Sequence, residues 1–158
     1  PAMHAECVRR TGARRPLVVG DRLDTDREGA RRAGADSLLV LTGVTDPRIL
    51  LAAGPEHRPD LLAQDAAGLL TPHPPVTTEG ATWRCGGWTV RAGEGEDVLV
   101  LEATDGASGD GLDGLRALAV AHWSRHPDEG AGVRVMAAGE PAEEALTRWE
   151  LTASADGP

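Results

Sequence analysis

The 158-residue sequence has no lysine, phenylalanine or tyrosine. All 16 basic side chains are therefore arginines, and the aromatic mass of any core falls to four tryptophans. Cysteine is nearly absent too. Cys7 and Cys85 stand far apart without a CxxC partner, which excludes a disulfide framework or a cysteine zinc site. No apolar run approaches the roughly 18 residues that a membrane span needs. The first seven residues lack the basic start and apolar core of a signal peptide. Positive charge is also scarce, with a net charge of −9 and a pI near 4.9. Without a basic stripe, nucleic acid and anionic membranes are not expected as partners. A cytoplasmic protein is the expectation.

What is present centres on residues 18–26, Val-Val-Gly-Asp-Arg-Leu-Asp-Thr-Asp. The apolar run 16–19 reads as a buried strand that stops at Gly20. A helical pattern follows over 26–33, with Thr25 at the N-cap and Glu28 at the capping-box spacing. Asp21, Asp24 and Asp26 thus crowd the turn at the strand's carboxyl end, the edge where open α/β sheets bind ligands. Oxygen donors at such a turn suit a hard cation such as Mg²⁺ better than Zn²⁺. Ordinary turn chemistry and a helix macrodipole also account for aspartates here. A second strand, 37–41, makes a βαβ unit and implies a parallel sheet with a right-handed crossover.

The stretch GDRLDTDREGARRAGADSLLVLTGVT resembles the fourth motif and following βα unit of haloacid-dehalogenase (HAD) superfamily phosphatases. Within these it is closest to subfamily IIA, the phosphoglycolate, pyridoxal-phosphate and 4-nitrophenyl-phosphate phosphatases. The GD-x-x-x-x-D pattern falls on Gly20, Asp21 and Asp26, and the run 41–45 and Arg58-Pro59-Asp60 fit as well. The resemblance implies an α/β, Rossmann-like (HAD-type) parallel sheet, of which this chain carries the C-terminal half only. It also implies Mg²⁺ as cofactor, held by Asp21 directly or through water, with Asp26 and Gly20 supporting the site. Asp24 lies outside the pattern. The implied activity is hydrolysis of a small phosphorylated metabolite through an aspartyl-phosphate. The family's nucleophilic aspartate, lysine and cap are not found, so no catalytic residue is assigned. Pro1 aligns with the proline after the family's Gly-Lys. The chain is thus expected to be inactive alone, with the missing N-terminal half of the same protein as partner and homo-oligomerisation possible.

The expected organisation is a hydrolase core half over 1–71, a Pro-rich linker over 72–80, a ββα appendage over 81–127 and a small, acidic, at most partly ordered tail over 128–158. Asp46 and Pro47 open a helix as cap and first residue. Residues 60–70 read as a helix or a helix running into a short strand. The appendage consists of strands 83–91 and 98–102 around Gly93-Glu94-Gly95 and an amphipathic helix over 112–126. Residues 133–136 form a weak strand and 140–151 a helix. Residues 109–114 match G-x-G-x-x-G, but Asp105, Asp110 and Asp113 would repel a pyrophosphate. His122 and His126 have metal-ligand spacing without a third ligand and read as surface residues at a helix end. Two other readings remain. A non-catalytic acidic interaction module predicts an apolar patch around Trp83, Trp88 and Trp123, and a dinucleotide-binding oxidoreductase fragment predicts binding of NAD(P).

Overall fold

The computed structural model describes residues 2–104 and 111–152. Pro1, Asp105 and the first two residues of the glycine-rich match, Gly109 and Asp110, lie outside them. The chain begins with α1 (Ala2–Thr11), β1 (Leu17–Gly20), α2 (Glu28–Arg32), β2 (Asp36–Val40), α3 (Pro47–Leu51) and β3 (Leu61–Ala63). The three strands form a parallel sheet in the order β1-β2-β3, as the βαβ spacing requires. Asp46 caps α3 by accepting from the Ile49 N–H at 2.7 Å, with Pro47 in the first turn.

Two local expectations fail. The Thr25 capping box does not form. A π-helical turn, Leu23–Arg27, already winds before Thr25, and buries Leu23. Its entry is held instead by the Asp26 carboxylate, which reaches back to the Arg22 N–H at 3.0 Å. In 60–70 the order is reversed. The strand comes first, because Leu61, Leu62 and Ala63 complete the parallel sheet beside β2. A 3₁₀ turn, Ala66–Leu70, follows it and is capped by Asp65.

The remaining residues depart further from the expected ββα appendage and partly ordered tail. They make five strands, β4 (Thr77–Glu79), β5 (Thr82–Cys85), β6 (Trp88–Ala92), β7 (Val98–Ala103) and β8 (Arg134–Ala138). Two helices, α4 (Asp113–Arg125) and α5 (Glu140–Arg148), accompany them. The sheet order is β4-β5-β6-β7-β8, antiparallel except for the parallel pair β7-β8. The expected single strand 83–91 is two strands, because Gly86 turns the chain at φ +55°, a region costly for other residues. The expected linker contains β4 within its last residues. The expected tail supplies a strand that pairs with β7 and a packed helix, and it buries Leu146, Trp149 and Leu151. Sparse apolar residues suffice there, since each faces the same core.

α4 is not amphipathic with a wet face. It runs between the sheet (β5, β6, β7) and α3, and residues Leu115, Ala117, Leu118 and Ala121 are fully buried. Gly114 permits this seating. A Cβ there would lie 2.9 Å from Trp149 and 3.1 Å from Trp88, two rings packed with centroids 6.3 Å apart. One continuous core joins Leu50, Leu51 and Leu62 of the first half to Leu115, Leu118 and Trp88 of the second. Among the described residues no helix is long and apolar enough to cross a membrane.

Candidate active site

Asp21 follows the last residue of β1, at the carboxyl edge of the parallel sheet. Its backbone carbonyl accepts from the Thr45 N–H at 3.2 Å and from the Thr45 hydroxyl at 2.7 Å. Thr45 is buried, so the loop after β2 clamps the loop after β1. The Asp21 carboxylate lies over Gly43, where a Cβ would sit 1.7 Å from Oδ2. The same Oδ2 accepts a long bond from the Val44 N–H at 3.3 Å. This leaves Oδ1 without a hydrogen bond among the described residues.

Gly20 and Asp26 are coupled in a similar way. A Cβ on Gly20 would lie 2.1 Å from Asp26 Oδ2. Glycine therefore lets that carboxylate fold across the strand end and take the Arg22 N–H. Asp24 is separate. It is exposed and pairs with Arg22, Nε to Oδ1 at 3.1 Å and Nη2 to Oδ2 at 2.7 Å. That pairing lowers the Asp24 pKa and raises that of Arg22, chiefly through the side-chain hydrogen bond. Arg22 pairs with Asp24 because its bidentate fork reaches two residues along the turn.

The three aspartates thus have different occupations, and among the described residues no three His, Cys, Asp or Glu side chains are arranged to hold a metal ion. A single half-bonded carboxylate nevertheless fits a hard cation. Mg²⁺ is commonly bound through one or two carboxylates, its other positions filled by water and substrate phosphate. Asp21 has the chemistry for one such ligand. Sequence reasoning names Gly43 and Thr45 only as part of a run and misses what they do. The glycine leaves room for the carboxylate, and the buried threonine holds its backbone. Asp60 lies just before β3, at the opposite, amino edge of the sheet, where it accepts from the Ser37 N–H and hydroxyl at 2.8 and 2.9 Å and ties β3 to β2.

His122 and His126 do not behave as surface residues. His122 is 1 % exposed, its Nε2 lies 2.8 Å from the Ala131 carbonyl, and among the described residues its Nδ1 has no hydrogen-bond partner. Its ring packs at a tilt against that of His126, with centroids 4.7 Å apart, and His126 meets Asp97 at 2.8 Å. Burial keeps the His122 imidazole below its ordinary pKa. Nor do the tryptophans form an exposed patch. Trp88 is buried and Trp83 and Trp123 pack against the core.

The first half is therefore a parallel α/β unit with an acidic turn at the carboxyl edge of its sheet. Residues 1–69 match the HAD-hydrolase-like family, and this part of the chain is a HAD-like hydrolase segment. Residues 85–151 match a GCN5-related N-acetyltransferase-like domain, which replaces the expected small appendage. The chain is 38 % identical over 164 residues to D-glycerol 3-phosphate phosphatase of Mycobacterium tuberculosis, covering 98 % of this chain and 44 % of that protein. It is 42 % identical over 60 residues to phosphoglycolate phosphatase 2 of Arabidopsis thaliana, covering 38 % of this chain and 20 % of that protein. Crystal structures of the M. tuberculosis glycerol phosphate phosphatase superpose on it. The calcium complex gives a TM-score of 0.77 at 35 % identity, over 98 % of this chain and 44 % of that one. The magnesium complex gives 0.73 at 36 %, over 96 % and 43 %. The chain thus spans less than half the length of these relatives.

Proposed function

We propose that this chain is the C-terminal portion of a Mg²⁺-dependent phosphatase of the HAD-IIA type, acting on a small phosphomonoester of the glycerol phosphate or phosphoglycolate kind. The observation that carries the reading is the Asp21 carboxylate at the end of β1, seated over Gly43 with one oxygen unbonded among the described residues. Asp21 would hold the metal, directly or through water. Mg²⁺ there would offset the negative charge that an attacking carboxylate and a substrate phosphate bring together. Asp26 and Gly20 hold the turn that presents Asp21, and Thr45 fixes its backbone. The nucleophile that would carry the phosphoryl group as an aspartyl-phosphate, the lysine that would stabilise it and the cap that would select the substrate belong to the portion outside these residues.

Residues 1–158 contain no lysine and are proposed to be inactive alone. The outer edge of β1 supports that division. Among the described residues β1 pairs with β2 alone, and its Leu17 and Val19 are each 36 % exposed. An unpaired parallel edge with apolar residues is a seat for further strands of the same sheet. The test is Asp21→Asn in the complete enzyme, assayed on glycerol 3-phosphate and 2-phosphoglycolate across a Mg²⁺ titration. A rise of at least tenfold in the Mg²⁺ concentration for half-maximal rate, with folding intact, is expected. An unchanged Mg²⁺ requirement and rate would remove Asp21 from the metal site.

A further inference from the structure

The loop from Pro127 to Val133 is mostly exposed, yet it is pinned to both halves of the chain. From the hydrolase-like half, Arg58 donates to the Pro127 and Glu129 carbonyls at 3.3 and 2.9 Å. Gly130 lies so close to that half that a Cβ on it would sit 2.4 Å from the Ala52 carbonyl. The acetyltransferase-like half holds the loop through His122 of α4, whose Nε2 lies 2.8 Å from the Ala131 carbonyl. A carbonyl can only accept, so Nε2 carries the proton and Nδ1 is an acceptor. The His122 side chain is buried, and among the described residues Nδ1 has no hydrogen-bond partner.

This seat suits the neutral ring alone. A second proton would go to Nδ1, making a cation and an N–H with nothing to receive it inside the core. The ring sheds that cost by swinging into water, which breaks its bond to Ala131. The charges around it divide. His126 and Arg125, on the same helix, disfavour the cation, whereas the Ala131 bond and Asp97, in the turn before β7, favour it. Burial outweighs each of these. Asp97 is itself engaged by His126 at 2.8 Å. The loop's own acids, Asp128 and Glu129, and Arg134 at the start of β8 are exposed, and Arg58 is engaged with loop carbonyls.

We propose that His122 is an acid-sensitive latch on the seam: protonation at Nδ1 expels the ring, frees the 127–133 loop and loosens the hold of Arg58 on it. The freed ring regains the ordinary imidazole range, so release sets in as the pH falls below about 6.5. The test follows the complete protein by NMR from about pH 7.5 to about 5, a window that brackets that range. The reporters are the His122 ring nitrogens, the Ala131 methyl and the Trp123 indole N–H, which donates to the Leu51 carbonyl across the seam at 3.2 Å. All three should titrate together. Exchange of the indole N–H, corrected for its chemical pH dependence, should quicken roughly tenfold or more at the acid end, as local opening without loss of the fold requires. Far-UV circular dichroism should hold throughout. His122→Gln keeps an amide donor for Ala131 that does not titrate, so it should show no release. Asp97→Asn removes an anion that favours the cation and should move the midpoint to lower pH. A His122 ring that stays neutral to about pH 5, or one that titrates while Ala131 and Trp123 stay put, would overturn the proposal. So would release that persists in His122→Gln, a midpoint that Asp97→Asn leaves or raises, or loss of the whole fold at the same midpoint.

Discussion

Replacing Arg58 with alanine should unfasten the two halves. Arg58 comes from the hydrolase-like half, yet its guanidinium donates to the carbonyls of Glu129 at 2.9 Å and Pro127 at 3.3 Å, and closely to that of His126. Its Nε holds the Ala53 carbonyl at 3.1 Å, and it lies 5.7 Å from the centre of the Trp123 ring. The loop is so near that a Cβ on Gly130 would sit 2.4 Å from the Ala52 carbonyl. Hydrogen bonds to a charged group each contribute roughly 1.5–3 kcal/mol net, and a cation over an aromatic face adds about 0.5–1 kcal/mol. Against that, immobilising an arginine costs about 2 kcal/mol, and several of these carbonyls would regain water on truncation. Three good bonds and one ring contact then leave about 3 kcal/mol for Arg58→Ala. In a chain of this length that corresponds to a fall in melting temperature of roughly 6–12 °C. Arg58→Lys keeps the charge but cannot fork to several carbonyls, so it should recover less than half. Urea unfolding of the three proteins, with the slope unchanged, measures this. A loss under about 0.5 kcal/mol for the alanine variant, or full recovery by lysine, would refute the reasoning.

Gly43→Ala places a methyl 1.7 Å from Asp21 Oδ2. The carboxylate can swing away, so stability should change by less than about 1 kcal/mol, while the Mg²⁺-dependent phosphatase activity proposed for the complete enzyme should fall at least tenfold. The His122 pKa is lowered first by burial, then by the neighbouring His126 and Arg125, with the Ala131 bond and Asp97 acting the other way. The unfolded chain therefore binds the extra proton first. Stability should be level above pH 6.5, the ordinary value, and fall as the pH drops from there toward the folded-state value. His122→Gln should flatten that slope in urea titrations between pH 5 and about 7, set by the ordinary imidazole range. A chain ending at Thr71 would expose Leu50, Leu51 and Leu62, which are 1–5 % exposed in the whole structure. It should lack a cooperative thermal transition, and a sharp one by calorimetry would show that the first half folds alone.

The acidic turn is legible in the sequence because its determinants are local. Gly20, Asp21 and Asp26 sit within seven residues, and the strand before them and the βαβ spacing after them define the sheet edge. Gly43 and Thr45 matter only once the β2 loop is folded against the β1 loop, a contact across more than 20 residues that no periodicity encodes. The second half is harder to read for a different reason. Its strands are short, with glycines at Gly86 and Gly87 hidden inside an apparently continuous alternation. Its final strand and helix have few apolar residues, and those are buried only because β7 lies parallel beside β8. His122 reads as a surface residue only while helix α4 is assigned a wet face. In the fold α3 covers one side of that helix and the sheet the other.

That sandwiching bears on what the acetyltransferase-like half does for the hydrolase-like one. A parallel sheet needs helices on both faces, and β2 and β3 bury Leu39 and Leu62 in the core shared with α4. Arg116 of α4 even donates to the Leu62 carbonyl, and Arg48 of α3 donates to the carbonyl of Glu150 at 2.9 Å. Each half thus supplies side chains that satisfy backbone groups of the other. The second domain is in this respect a structural layer of the first. The loop that seats Asp21 runs directly into α3, the helix on which α4 packs. Loosening the seam, as Arg58→Ala does, should therefore disturb the Thr45 clamp on Asp21 as well as global stability.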